Sequence, residues 1–168
     1  MKNFILGFLA ITLSLVCGSV GYLRLGLAEV RADVNTPIWE EQLVKFAVRA
    51  SVKRDAARLE NPLPPSDENL IAGGKLYLNA CAGCHGKPGK PPDNSPAYLP
   101  PPQFVQAGTQ YSEPELFWIV KHGIRRTGMS AYGPLFDSDE QLWLLATFVK
   151  RMNRLNPTVL AGIQAKKP

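Results

Sequence analysis

Two cysteines and a histidine within five residues form the most chemically distinctive stretch of this sequence. Cys81-Ala82-Gly83-Cys84-His85 has the C-x-x-C-H spacing of a covalent attachment site for a c-type haem. Each thiol would form a thioether with one vinyl group of the macrocycle, and His85 would lie under the iron as its proximal ligand. The stretch therefore predicts that Cys81, Cys84 and His85 bind haem c.

Two other kinds of site use the same residue types. A thioredoxin-like C-x-x-C follows a hydrophobic strand in a βα unit, but residues 70–79 have helical spacing. A structural zinc site needs four ligands, and the remaining candidates are His122 and Cys17, which lies in an apolar run. The sequence favours haem attachment over both alternatives.

A second axial ligand to the iron is predicted at Met129. This residue lies in a segment punctuated by glycine and proline, residues 125–134, which lacks an amphipathic pattern that a core methionine would serve. Met152 ends a basic helical turn, and His122 is predicted to cap a helix C-terminus rather than to ligate. Arg125 and Arg126 either contact haem propionates or are solvated loop charges.

Three amphipathic helices are predicted to position these residues. The first covers residues 67–79, with Ser66 as N-cap and Ile71, Gly74 and Leu78 facing inward. The second begins with a capping box at residues 112–115 and ends near His122. The third begins with a second capping box at residues 138–141 and continues to about Asn153, and Trp143 and Phe148 would brace it against the first helix.

The segment between the first and second helices is rich in proline. Seven of the seventeen residues 86–102 are prolines, which excludes a regular helix or a central strand. We expect a loop that wraps one edge of the macrocycle, and one of its backbone carbonyls should accept the Nδ1 proton of His85.

The N-terminal segment is predicted to reach a membrane. Phe4 to Leu23 are twenty residues without a charge, about the length that crosses a bilayer as a helix. The segment is either an uncleaved anchor, which its length favours, or a signal peptide cleaved after Gly26-Leu27-Ala28. Either alternative exports the rest of the chain.

Residues 35–60 are ambiguous between helix and strand. Trp39, Leu43, Phe46 and Ala50 have helical spacing, whereas residues 44–52 alternate as in a strand. One interpretation is an arm packed on the haem domain or its neighbour. The other is an amphipathic segment on a membrane surface, whose basic residues are Lys45, Arg49, Lys53, Arg54 and Arg58. Residues 62–65, Pro-Leu-Pro-Pro, mark a domain boundary.

The 168 residues suit one domain with appendages. We predict a membrane anchor at residues 1–28, a linker or arm at 29–65, a haem domain at 66–156 and a C-terminal tail at 157–168. No strand pattern appears in the haem domain, so the predicted fold is all-α. The net charge of +5 is mild and gives no indication of nucleic-acid binding.

The order of these motifs resembles class I cytochrome c. Residues 72–77 with 81–86, and residues 120–124 with 127–133, are similar to membrane-anchored monohaem cytochromes of bacteria. The resemblance implies one covalent haem c held by Cys81 and Cys84, with His85 and Met129 as axial ligands. It also implies that Gly74 and Trp143 lie near the crossing of the first and last helices. Ser130 departs from the proline that frequently follows the ligand methionine.

The predicted function is one-electron transfer in a respiratory or photosynthetic chain, without enzymatic activity. We expect a single-pass protein of the bacterial cytoplasmic membrane, anchored in lipid by the N-terminal helix, with its haem domain on the periplasmic side. Its redox partners would be a quinol-oxidising complex, a terminal oxidase or a reaction centre. The alternatives are a fixed haem-bearing subunit of a larger complex, or a haem peroxidase or gas-binding protein.

Overall fold

A computed structural model describes residues 1–31, 34–88 and 100–165. The chain divides into two units, Met1–Val34 and Asn35–Pro168. The first unit contains helix α1 (Lys2–Arg24), whose mean hydropathy of 2.2 and length of 23 residues suffice to cross a membrane. Its Thr12 and Ser19 hydroxyls donate hydrogen bonds to carbonyls one turn earlier. Helix α1 is therefore a candidate membrane span by length and composition.

The second unit consists of helices joined by loops, and its described residues contain no β-strand. Its helices are α2 (Ile38–Ala56), α3 (Asp67–Ala80), α4 (Ala82–His85), α5 (Phe104–Ala107), α6 (Glu113–His122), α7 (Asp139–Arg151) and α8 (Pro157–Gln164). Short 3-10 turns occupy Gly133–Leu135 and Met152–Arg154. The all-α prediction is confirmed.

Two of the three predicted N-caps form as expected. The Ser66 hydroxyl accepts a hydrogen bond from the backbone of Asn69 at the start of α3. Ser112 and Glu115 form the complete reciprocal capping box of α6. The capping box predicted at Ser138 is wrong, because its side chain makes no cap bond. The Gln141 side chain instead accepts a 3.1 Å hydrogen bond from the backbone N–H of Asp137, the residue before Ser138.

Two glycines allow α3 and α7 to approach closely. A Cβ atom on Gly73 would lie 2.2 Å from the Leu144 carbonyl oxygen, and one on Gly74 would lie 3.0 Å from the Phe148 ring. The Phe148 ring also contacts Tyr77, with centroids 5.4 Å apart. This pair of helices therefore packs backbone against backbone, which only glycine permits.

The aromatic residue at this crossing is Phe148. Trp143, which the resemblance implied to lie near it, stacks on Phe117 of α6, with centroids 4.1 Å apart and planes 14° apart. Both aromatic side chains are buried. Because they lie on opposite sides of α7, Phe148 secures this helix to α3 and Trp143 secures it to α6.

Residues 157–164, predicted to be part of a C-terminal tail, form helix α8 and complete the core. The Asn156 side chain caps this helix and also donates to the carboxylate of Asp67, at the start of α3. Val159 and Ile163 are buried, and Ile163 lies directly over Gly74. Helix α8 thus covers the face of α3 that α7 leaves open.

The ambiguous segment 35–60 is resolved as a helix. Helix α2 packs on α6, with Val52 and Ala56 buried. After it, the Asn61 amide donates hydrogen bonds to Glu113 and, at 2.7 Å, to the hydroxyl of Thr147. These bonds secure the arm to α6 and α7, as the packed-arm interpretation predicts.

Candidate functional site

The imidazole of His85 is held in one orientation. Helix α4 is a single turn that follows α3 directly and carries this residue at its end. His85 Nδ1 lies 3.0 Å from the carbonyl oxygen of Pro102. A carbonyl can only accept, so Nδ1 carries the proton and Nε2 keeps a free lone pair. The predicted carbonyl partner therefore exists and belongs to the last residue of the proline-rich segment; residues 89–99 of that segment lie outside the described residues.

The ring environment keeps His85 in its neutral form. Burial lowers the pKa of His85, and the hydrogen bond to Pro102 opposes this effect only in part. The ring of Phe104 stacks on the imidazole, with centroids 4.9 Å apart and planes 19° apart. A neutral, oriented imidazole is the form in which histidine binds a metal ion.

The two thiols of the C-x-x-C-H segment differ in exposure. Cys81 is partly buried at the C-terminus of α3, and Cys84 is exposed. Burial, and then the negative charge that Cys84 can carry, raise the pKa of Cys81 to about 12. A reactive redox thiol has a lowered pKa, so this environment does not favour thioredoxin-like chemistry.

A buried tyrosine fixes the residue that follows His85. The Tyr77 hydroxyl donates a 2.8 Å hydrogen bond to the carbonyl of Gly86. Burial raises the pKa of Tyr77, and the negative charge of Cys81 adds to this effect. The hydroxyl therefore stays protonated, and α3 supports both ends of the C-x-x-C-H segment.

Backbone and side-chain hydrogen bonds close the loop that carries Met129. Thr127 Oγ1 accepts from Met129 N at 3.1 Å and donates to the Ile124 carbonyl at 2.8 Å. Ile124 N donates to the Met129 carbonyl at 2.9 Å. Gly123 has a φ of +67°, and a Cβ atom there would lie 2.7 Å from the Met129 oxygen. Glycine at this position therefore lets the loop fold back on the end of α6.

Tyr132 links the Met129 loop to the C-x-x-C-H segment. Its hydroxyl donates to the carbonyl of Ala80, the residue before Cys81, at 3.2 Å. Its backbone N–H donates to the Val120 carbonyl of α6 at 3.0 Å. The Met129 side chain packs on the hydrophobic core, as does that of Cys81. The structure thus brings the two predicted ligand segments together, although they are far apart in sequence.

The other predicted candidates lie away from these contacts. His122 is exposed at the C-terminus of α6, where its ring faces Trp118 at 5.0 Å and Asp55 interacts with it electrostatically. Arg125 and Arg126 are exposed, and Arg126 has a positive φ of 61°. Neither arginine forms an ion pair within residues 1–31, 34–88 and 100–165.

Two residues that support the site were not identified from the sequence. Phe104 begins the short helix α5, two residues after the proline-rich segment, and no periodic pattern marks it as a partner of His85. Tyr132 was noted only as part of a motif, although its hydroxyl connects two segments. An aromatic residue immediately after a rigid, proline-rich segment is the one signal that could have indicated Phe104.

The donor set fits a covalently attached haem. Two cysteines adjoin a histidine whose Nε2 is free, and a methionine thioether lies in a hydrogen-bonded loop tied to the same helix end. Thiols can form thioethers, and imidazole and thioether are both haem-iron ligands.

A comparison with protein families covers the region that contains these residues. Residues 68–149 match the family model described as cytochrome c oxidase, cbb3-type, subunit III. Residues 68–149 form a class I c-type cytochrome domain. The cytochrome c domain implies covalently bound haem c and haem-based electron transfer.

Part of this chain is similar to a solved structure. It is a chain of the reducing HAO-like protein complex of Kuenenia stuttgartiensis, with 25% sequence identity and a TM-score of 0.46. The alignment covers 54% of this chain and 46% of that chain, so this protein spans less than half the length of the chain it matches.

Proposed function

We propose that this protein is a one-electron carrier of a membrane-associated respiratory or photosynthetic electron-transfer chain. In this proposal one haem c is attached through thioethers to Cys81 and Cys84, with His85 and Met129 as axial ligands. When bound, the haem supplies a one-electron Fe(III)/Fe(II) couple.

The observation that carries this proposal is the support of both predicted ligands. Pro102 holds the proton on Nδ1 of His85 and leaves Nε2 free for a metal. Gly123 and Thr127 fix the backbone that precedes Met129, and Tyr132, which follows it, ties the loop to Ala80. Both ligand segments are thus held by contacts that do not use the ligating atoms themselves.

The proposed ligand pair explains why a carrier is preferred to an enzyme. His85 and Met129 together would occupy both axial positions and leave no open coordination site for oxygen or peroxide. A neutral thioether from Met129 favours the ferrous state more than a second imidazole would, which raises the potential. The chain's residues therefore suit changes of oxidation state without substrate binding.

The proposed location is the bacterial cytoplasmic membrane. Helix α1 has the length and hydropathy of a membrane span, and none of its residues is buried. In this proposal residues 1–28 anchor the chain, residues 29–65 form an arm, and residues 66–156, with α8 packed on them, form a haem domain on the periplasmic side. Anchoring would confine the carrier near a quinol-oxidising complex, a terminal oxidase or a reaction centre.

The experiment that tests this proposal is a potentiometric titration of the full chain, produced with a haem-attachment system. We expect one haem per chain, retained under denaturing conditions, and a Nernst curve for a single electron. Cys81→Ser with Cys84→Ser should abolish covalent retention, whereas Cys17→Ser should leave it unchanged. Peroxide turnover by the wild-type protein at rates typical of peroxidases would contradict the carrier assignment.

A second candidate function is a fixed haem-bearing subunit of a larger redox complex. The observation that favours it is the family description, which names an oxidase subunit. Mild solubilisation of native membranes separates the two candidates. A stable complex of fixed stoichiometry would support the subunit, and a lone haem protein would support the carrier.

A further inference from the structure

Helix α2 has two apolar faces that point in opposite directions. We define the inner face as Val44, Val48, Val52 and Ala56, and the outer face as Trp39, Leu43, Phe46 and Ala50. At 3.6 residues per turn, the mean directions of the two faces differ by about 170°. These interleaved faces also explain the alternating pattern of residues 44–52.

Only the inner face is covered within the described residues. It packs on α6, and Val52 and Ala56 are 1% and 3% exposed. On the outer face, Trp39, Leu43 and Phe46 are 68%, 60% and 72% exposed. Three large apolar side chains on one stripe form a contiguous patch, and such a patch marks an interaction surface.

The charges of α2 are distributed unevenly between the two faces. Glu41, Lys45 and Asp55 occupy helical positions on the inner half, and Glu40 lies at the boundary between the two halves. Arg49 and Lys53 border one edge of the outer face and Arg54 borders the other. Arg54 pairs with Asp55, whereas Arg49 and Lys53 form no ion pair among the described residues. The outer face is therefore apolar, and its border carries three cations and, at the edge beside Arg54, the carboxylate of Glu40. This excess of positive charge is complementary to an anionic surface.

We propose that the outer face of α2 binds the surface of the lipid bilayer, with anionic headgroups against Arg49 and Lys53. Aromatic and aliphatic residues on one face with basic residues beside them are typical of helices that lie in the membrane interface. The thirteen residues 25–37 separate α1 from α2 and span at most about 45 Å when extended. A chain whose α1 is inserted in a bilayer therefore keeps α2 within reach of that bilayer. This tether rests on the proposed membrane anchoring, but the proposal is independent of the haem ligands.

The test is photo-crosslinking of the full chain in its native membrane. Phe46→p-benzoylphenylalanine introduces a photoreactive group at the centre of the outer face, and Leu135→p-benzoylphenylalanine is the matched control, because both residues are 72% exposed. We expect an adduct of one phospholipid mass at position 46 and none above background at position 135. Covalent haem and an unchanged visible spectrum in both variants establish that the domain is folded and separate this test from that of electron transfer.

Three outcomes would overturn the proposal. A protein adduct at position 46 would assign the outer face to a partner chain. Absence of any adduct, or equal lipid labelling at positions 46 and 135, would show that the face does not rest on lipid.

In vesicles of phosphatidylcholine with phosphatidylglycerol, the double variant Arg49→Gln, Lys53→Gln should lose most of the lipid adduct at position 46. An unchanged yield would contradict the role of these two cations.

Discussion

The hydroxyl group of Tyr132 donates a hydrogen bond to the backbone carbonyl of Ala80, which is 52 residues earlier in the sequence. Ala80 ends α3 immediately before Cys81, and Tyr132 follows Met129 by three residues. This one bond joins the segment that carries the predicted proximal ligand to the segment that carries the predicted distal one.

Tyr132→Phe should loosen the Met129 loop without removing a ligand. Loss of one hydrogen bond should lower the free energy of unfolding by about 1 kcal/mol. Cyanide should bind the ferric protein faster, because the loop would release Met129 more often. Stopped-flow absorbance measures this rate. Tyr111→Phe is the control, since the described residues offer no hydrogen-bond partner for its hydroxyl. Equal rates of cyanide binding to Tyr132→Phe and Tyr111→Phe would contradict the proposed link.

Gly73→Ala should destabilise the domain strongly. The new Cβ would lie 2.2 Å from a backbone oxygen of Leu144, which cannot move without separating α3 from α7. Overpacking of this kind costs about 3 kcal/mol. Gly83→Ala is the control, because its Cβ would meet no atom within 4 Å. Denaturant unfolding followed by the haem absorbance measures both variants, and an equal midpoint would show that the helix crossing is not tight.

Glu113 should contribute to the acid sensitivity of the fold. Burial would raise the pKa of Glu113, but hydrogen bonds from Asn61 and Arg151 outweigh it and lower the pKa below the usual 4.5. A lowered folded-state pKa stabilises the protein above pH 4.5, and this stabilisation is lost as the pH falls through the folded-state value.

Glu113→Gln should therefore make the free energy of unfolding depend less on pH below pH 4.5. Chemical denaturation at a series of pH values from neutral to acidic measures the effect. Glu60→Gln, at an exposed carboxylate without a hydrogen bond to the described residues, should leave the wild-type pH profile intact. If Glu113→Gln and wild-type protein lose stability in parallel on acidification, the ion pair with Arg151 does not matter in solution.

The sequence predicted the elements that local chemistry determines. Ser66 and the Ser112–Glu115 box fixed the starts of α3 and α6, because capping depends on residues only three positions apart. The amphipathic character predicted for the third helix is confirmed in α7, and it too depends on residues close together in the sequence. The C-x-x-C-H spacing indicated the attachment segment, because the chemistry of haem attachment requires that spacing.

Contacts between distant segments could not be read in this way. Nothing in the sequence pairs Trp143 with Phe117 rather than with α3, since both sides of α7 are apolar. The strand-like alternation in residues 44–52 arises from two faces on one helix, and periodicity alone does not separate these cases. The stacking of Phe104 on His85 depends on the path of residues 86–102, which proline content restricts but does not specify.

The most direct test of the central claim is carbon monoxide binding to the reduced protein. Met129→Ala should bind carbon monoxide readily while its haem stays covalently attached, because the distal ligand is removed. Met152→Leu is the matched control. Met152 is buried in the core, and a volume-conserving exchange there leaves Met129 in place as the proposed ligand. We predict that wild type and Met152→Leu resist carbon monoxide and that Met129→Ala does not. Equal binding by wild type and Met129→Ala would contradict ligation by Met129, and with it the closed coordination sphere of an electron carrier.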